Sequence, residues 1–169
     1  MQGRVLQHHC VSAAPDKGLL VTGGVDQDDN VTDESFVLCL KTGEITMVTS
    51  MQHARAMHAC ASTDQGHVVA GGHSDEAVLD SVELLLSGSQ SWQLLEPLPE
   101  KRYRLTAVHS YLDKLLIVGG QEENPLQREM EVLKYVAAEN RWEQWEGFNT
   151  TRADLVTLTI DELHLLKND

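Results

Sequence analysis

Short apolar runs, each ended by glycines and followed by polar loops, set the rhythm of this chain. Leu19-Leu20-Val21-Thr22, His67-Val68-Val69-Ala70 and Leu115-Leu116-Ile117-Val118 stop at Gly23-Gly24, Gly71-Gly72 and Gly119-Gly120. The pairs lie 48 residues apart both times, and a fixed period of that size marks a repeat architecture. Other positions keep the same beat. Arg55, Arg102 and Arg152 each follow a bulky residue (Ile45, Trp92, Trp142) by ten positions. Seven residues before those stand Leu38, Leu85 and Tyr135, and four before each Arg stand Met51, Leu98 and Phe148.

Each unit reads as four strands. In the first they are Val5–Ser12, Leu19–Thr22, Ser35–Leu40 and Ile45–Ser50, with turns at Pro15-Asp16-Lys17-Gly18 and Lys41-Thr42-Gly43-Glu44 that carry the residues hairpins need. The second unit begins near Arg55 and the third near Arg102. A fourth begins at Arg152 and supplies two strands, Leu155–Ile160 and Leu163–Leu166. Two segments, Asp75–Leu86 and Leu126–Ala138, also fit a helix: Val78, Leu79, Val82, Leu85 and Leu86 form a helical stripe. Their place in the repeat, level with the strand formers of Phe36–Leu40, favours strand, because context overrides propensity.

These residues resemble the kelch repeat, a β-propeller motif of about fifty residues in which Arg, Gly-Gly, an aromatic and Trp recur in order. The closest match is Leu98-Pro99 and Arg102, then Gly119-Gly120, Tyr135 and Trp142. In the other units Leu38 and Leu85 replace the usual Tyr, and Ile45 replaces a Trp. The resemblance covers nearly the whole chain. It implies an all-β fold of kelch-type β-propeller blades, each a four-stranded antiparallel sheet. The expected units are 5–50, 51–97 and 98–147, with a half blade at 148–166. Gly23, Gly24, Gly71, Gly72, Gly119, Gly120, Tyr135, Trp92, Trp142, Arg55 and Arg152 are then structural repeat positions. Three and a half blades make an incomplete propeller, since rings close with about four to eight. Two explanations stand: a piece of a longer propeller, or two copies closing head to tail through open blade edges.

Composition narrows the partners. With 13 basic and 26 acidic residues among 169, the net charge is −13, which repels phosphate backbones and disfavours nucleic acid. No apolar run reaches the length of a membrane helix. Nor does Met1–His8 resemble a signal peptide, so a cytoplasmic chain with Cys10, Cys39 and Cys60 as reduced thiols is expected. On that reading the glycosylation triplets at Asn30 and Asn149 are bare surface loops.

The glycine pairs close strands and lead into acidic loops, so they serve turns and not a phosphate cradle. His8-His9-Cys10 and His58-Ala59-Cys60 occupy matching positions and carry zinc-ligand chemistry. Leu105 and Ala107 at the third-unit equivalents of His58 and Cys60 make these packing positions instead. No metal or other cofactor is expected. Asp26-Gln27-Asp28-Asp29-Asn30 lacks the Gly and Glu of an EF-hand, which Val31 and Val37 replace. No nucleophile motif is present, and the chain reads as no enzyme.

Two groups are candidates for partner binding. One is acidic, in the loops after the glycine pairs: Asp26, Asp28 and Asp29; Asp75 and Glu76; Glu122 and Glu123. The other is basic and aromatic: Lys101, Arg102, Tyr103 and Arg104. The leading reading is a non-catalytic protein–protein interaction module. Its resemblance implies the substrate-recognition arm of a cullin ubiquitin-ligase adaptor, or an actin-binding protein. Acidic loops favour a basic peptide. The alternative is a propeller-type enzyme or metal-binding protein, of the kind that copper oxidases with kelch-like blades exemplify, or a fragment without a function of its own.

Overall fold

Each glycine pair ends the second strand of a four-stranded antiparallel sheet. The computed structural model describes residues 6–14, 18–110, 114–121 and 132–145. Within them lie three such sheets and no helix. The first runs β1 (Cys10–Ala14), β2 (Gly18–Thr22), β3 (Ser35–Cys39) and β4 (Ile45–Met47). The second runs β5 (Ala59–Ser62), β6 (Gly66–Ala70), β7 (Val82–Leu86) and β8 (Gln93–Leu94). The third runs β9 (Tyr103–Ser110), β10 (Lys114–Gln121), β11 (Val132–Val136) and β12 (Arg141–Gln144). Neighbours in sequence are neighbours in each sheet. The fold is all-β.

The glycines are required by conformation and by space. All six have positive φ, for example +62° at Gly71 and +94° at Gly72, where a side chain is strained. A Cβ at Gly71 would lie 2.6 Å from the Arg102 carbonyl oxygen, and one at Gly72 2.6 Å from that of Ala56.

The helix–strand conflict resolves to strand at β7 and β11. Val82 and Leu84 face the third sheet, while Leu85 packs toward the first. A strand buried on both faces loses its alternation, so its pattern suits either period. Several expected boundaries move: the first strand of the first unit ends at Ala14, the second starts at Gly18 and the third ends at Cys39. In the first unit the strand begins at Cys10, because His8 takes a left-handed φ of 57° that interrupts extended backbone. The fourth strand ends at Met47. The register also shifts by one at the histidines. Cys10 pairs with Thr22 and Ala59 with Ala70, so His9, not His8, corresponds to His58. The half unit at 148–166, with Arg152 and Phe148, lies outside the described residues.

Two cores hold the sheets together, and they are unequal. Between the second and third, twelve buried residues form one cluster that includes Val68, Leu84, Leu98, Leu115, Ile117, Leu133 and Trp142. Between the first and second there are five: Leu20, Met51, Val69, Leu85 and Trp92. Trp92 and Trp142 each donate an indole N–H to a carbonyl of the preceding unit, Thr49 at 3.0 Å and Glu96 at 2.9 Å. Ile45 takes this place in β4 and is 50% exposed.

The thin first core is reinforced by a bond that corrects the expectation of three reduced thiols. Cys10 and Cys60 form a disulfide, their Cα atoms 6.0 Å apart, and Cys39 alone of the three is a free thiol. The pairing arises because β1 and β5 lie side by side. Cys10 shares its face of β1 with Ser12, which meets His67 of β6.

Candidate functional site

Arg55 joins one sheet to the next, with its backbone held by the first and its side chain by the second. Its N–H donates to the Thr32 carbonyl (3.2 Å), and its carbonyl accepts from Gly24 (2.8 Å). The guanidinium, 0% exposed, donates to the Gly71 carbonyl (2.7 Å), Ser81 Oγ (2.9 Å) and Glu83 Oε1 (2.6 Å). Glu83 is itself fully buried. Besides Arg55, its carboxylate accepts the Gln52 N–H at 2.6 Å and the His53 N–H at 3.1 Å, with the His53 ring at 3.2 Å. The connection into the second sheet is therefore organised by one buried acid.

Arg102 repeats the backbone half of this arrangement. It donates to Leu79 (3.1 Å) and accepts from Gly72 (2.9 Å). Its side chain reaches the Gly119 carbonyl (3.4 Å) and Glu100 (3.2 Å). The difference follows from one position. Val48, Leu95 and Trp145 donate to Ser35, Val82 and Val132 respectively, which equates Phe36, Glu83 and Leu133. Only Glu83 among these offers an acceptor, so Arg102 turns to Glu100. At 3% exposure, Arg102 keeps its guanidinium inside the protein, unlike the other members of the basic cluster.

The remaining members of that cluster stand at the surface. Lys101 and Arg104 are exposed and Tyr103 is half-buried. The Tyr103 ring meets His73 edge-on at 6.2 Å, and Arg104 lies 5.7 Å from the Tyr103 ring centre. Arg104 also donates to Gln121 Oε1 (3.2 Å). Its φ of 56° matches 52° at Met57 and 57° at His8. These three are linked: Met57 N–H donates to His8 (2.9 Å), and Arg104 N–H donates to Met57 (2.8 Å). Left-handed backbone is unfavourable for ordinary residues and persists where the surroundings hold it.

The acidic loops sit beside this line. Loop 26–30 runs between Val25 and Val31, which bridge to each other, and His73 and Val78 bridge in the same way around the second loop. Asp26 Oδ1 accepts the N–H groups of Asp28 (2.8 Å) and Asn30 (2.9 Å). The Asn30 and Asp28 N–H groups hold its carboxyl below the ordinary range. Asp75 reaches across to the Val31 N–H at 3.3 Å, tying the two loops together. Ser74 Oγ closes the second loop by accepting from Glu76 and Ala77, both at 3.2 Å. The candidate acids thus divide by use. Asp26 and Asp75 accept backbone N–H groups, and Asp75, like Asp28, Asp29 and Glu76, is exposed. Glu122 and Glu123 lie outside the described residues.

The zinc-type residues are otherwise engaged. Cys10 and Cys60 are bonded to each other, and His58 Nε2 meets Thr22 Oγ1 at 2.9 Å. Burial, then the charges of Arg55 and His9, push the His58 pKa well below its ordinary value. Among the described residues no group of three or more His, Cys, Asp or Glu is placed to hold a metal ion. Among the described residues there is no helix long and apolar enough to cross a membrane. No family model matches the chain, and no curated protein matches it.

Proposed function

We propose that the three sheets are blades of a kelch-type β-propeller, and that the chain is a non-catalytic module binding a basic peptide of a protein partner. The observation that carries this is the pair of acidic loops tied side by side by Asp75 and Val31. Asp28, Asp29 and Glu76 are left at the surface of one rim. Such a rim attracts cationic side chains and speeds their encounter. The blade reading is supported by repeated sheets of identical strand order, by the Trp92 and Trp142 side chains that reach the preceding unit, and by the Arg55 and Arg102 backbones that bond it. In a longer protein the same surface would serve as the recognition arm of a ubiquitin-ligase adaptor or as an actin-binding face. The chain itself is assigned no catalysis and no cofactor, and a cytoplasmic setting goes with this reading.

The test is binding of a Lys/Arg-rich peptide by fluorescence anisotropy, with Asp28→Lys, Asp29→Lys and Glu76→Lys combined. These substitutions spare Asp26 and Asp75 and so leave the loop hydrogen bonds in place. Affinity should fall at least tenfold in the variant and weaken with salt. Unchanged affinity would sink the proposal.

One observation favours a second reading, self-association. Val11 on one outer strand of the first sheet and Ile45 and Met47 on the other are exposed at 44%, 50% and 48%, apolar side chains that a second copy would cover. Light scattering of the purified chain decides it: a discrete dimer supports this reading, and a monomer removes it.

A further inference from the structure

We infer that Cys10 and Cys60 form a reversible oxidation site, a dithiol–disulfide clamp that fastens the first sheet to the second. The inequality of the two junctions leads there. The second and third sheets share a cluster of twelve buried apolar residues, whereas the first and second share five. What the first junction lacks in apolar burial it makes up with individual ties. Thr22 meets His58 at 2.9 Å, Ser12 meets His67 at 3.2 Å, and Ser62 donates to the Ala13 carbonyl. Gln52 and His53 reach Glu83, and the disulfide joins β1 to β5. All but the disulfide are non-covalent and survive reduction. Breaking the S–S bond therefore loosens the first sheet while the second and third keep their shared core. These are two states of one element, set by a local chemical change.

Both cysteines are only partly buried, so a small thiol or disulfide reagent can reach them. The oxidant is a low-molecular-weight disulfide such as oxidised glutathione. One protein thiolate attacks it, forming a mixed disulfide and releasing one glutathione thiolate. The second protein thiolate attacks the protein sulfur of that mixed disulfide and releases the other. Two electrons pass from the two cysteine sulfurs to glutathione, and the two thiol protons end on the released thiolates. Excess reduced glutathione runs the sequence backwards. The clamp also governs the rim: the Asp75–Val31 contact spans the same junction, so an unclamped first sheet loses its fixed place beside the second loop.

The test uses the full chain equilibrated in glutathione buffers from reducing to oxidising, then quenched, alkylated and weighed, with parallel hydrogen-exchange mass spectrometry. Expected are three alkylated cysteines when reduced and one, Cys39, when oxidised, with a Cys10–Cys60 linked peptide and full reversal between the two. On reduction, amides of residues 18–22 and 31–39 should exchange at least tenfold faster, while those of 115–118 and 132–136 stay unchanged. The double variant Cys10→Ser, Cys60→Ser should behave as the reduced protein in every buffer. Because the wild-type chain is read in both states, the result does not depend on how the variant folds. Three reactive thiols at every ratio, linkage through Cys39, or equal acceleration in all three sheets would each overturn the inference. None of these readouts involves the proposed peptide.

Discussion

Replacing Glu83 by Gln should be among the most damaging single changes in the protein. The carboxylate is wholly buried and accepts from Arg55 at 2.6 Å, Gln52 at 2.6 Å and His53 at 3.1 Å. Glutamine keeps the shape but removes the charge. It leaves the Arg55 guanidinium buried without a counter-ion and turns an NH2 group toward donors. Breaking a buried pair from one side costs about 3–5 kcal/mol, against a total stability of roughly 5–15 kcal/mol. With a urea slope of about 1.5 kcal/mol per M, the unfolding midpoint should fall by about 2–3 M. Removing both partners, Glu83→Leu with Arg55→Met, should cost much less, about 1–2 kcal/mol, because the Gln52 and His53 amides lie near enough to the surface to take water. The third sheet already has Leu133 at this position. Arg102 provides the contrast within the same molecule: its carboxylate partner Glu100 is 54% exposed, so Glu100→Gln should cost under about 1 kcal/mol. Urea denaturation of the four proteins gives the comparison. A Glu83→Gln cost below about 1 kcal/mol, or a double variant as damaged as the single, would refute the reasoning.

Two further predictions concern titration. His58 is neutral when folded, its pKa pushed down first by burial and then by Arg55 and His9, and burial lowers that of His67 as well. The unfolded chain takes up these protons near pH 6.5 and the folded one does not, so stability should fall as pH drops below about 6.5. Thermal melts between pH 7.5 and 5 should show the decline. Thr22→Val with His58→Leu, copying the Leu105 site, should flatten it, and an unchanged slope would contradict the assignment. At Cys39 the Thr42 hydroxyl and then the Thr42 and Lys41 N–H groups favour the thiolate and lower its pKa. Alkylation of Cys39 should therefore persist at lower pH than for a free cysteine, and Thr42→Val should remove part of that advantage. Identical pH profiles for Cys39 and free cysteine would refute it.

The glycine pairs, Trp92 and Trp142 made the four-strand units legible, because each acts through local geometry that recurs at a fixed spacing. Glu83 was not legible. It lies in a run that reads equally as helix, and its partners at Gln52, His53 and Arg55 come together only when two sheets meet. The disulfide left a faint trace: Cys10 and Cys60 are 50 residues apart, close to one repeat, which places them on adjacent first strands. A one-residue error in matching the histidines hid which way each faced. The burial of Arg102 was hidden for a related reason, since a basic–aromatic run looks like surface unless one knows that this guanidinium folds under its own sheet toward the Gly119 carbonyl. Of the acidic loops, sequence placed the charges but not their use. That Asp26 and Asp75 serve backbone N–H groups follows only from the fold of the loops.

The most direct test of the proposed function is amide chemical-shift mapping of the full chain titrated with a Lys/Arg-rich peptide, repeated at high salt. The account predicts saturable shifts concentrated at Asp28, Asp29, Asp75 and Glu76 that weaken as salt rises. Shifts confined to the first sheet around Val11, Ile45 and Met47, or none at all, would contradict it.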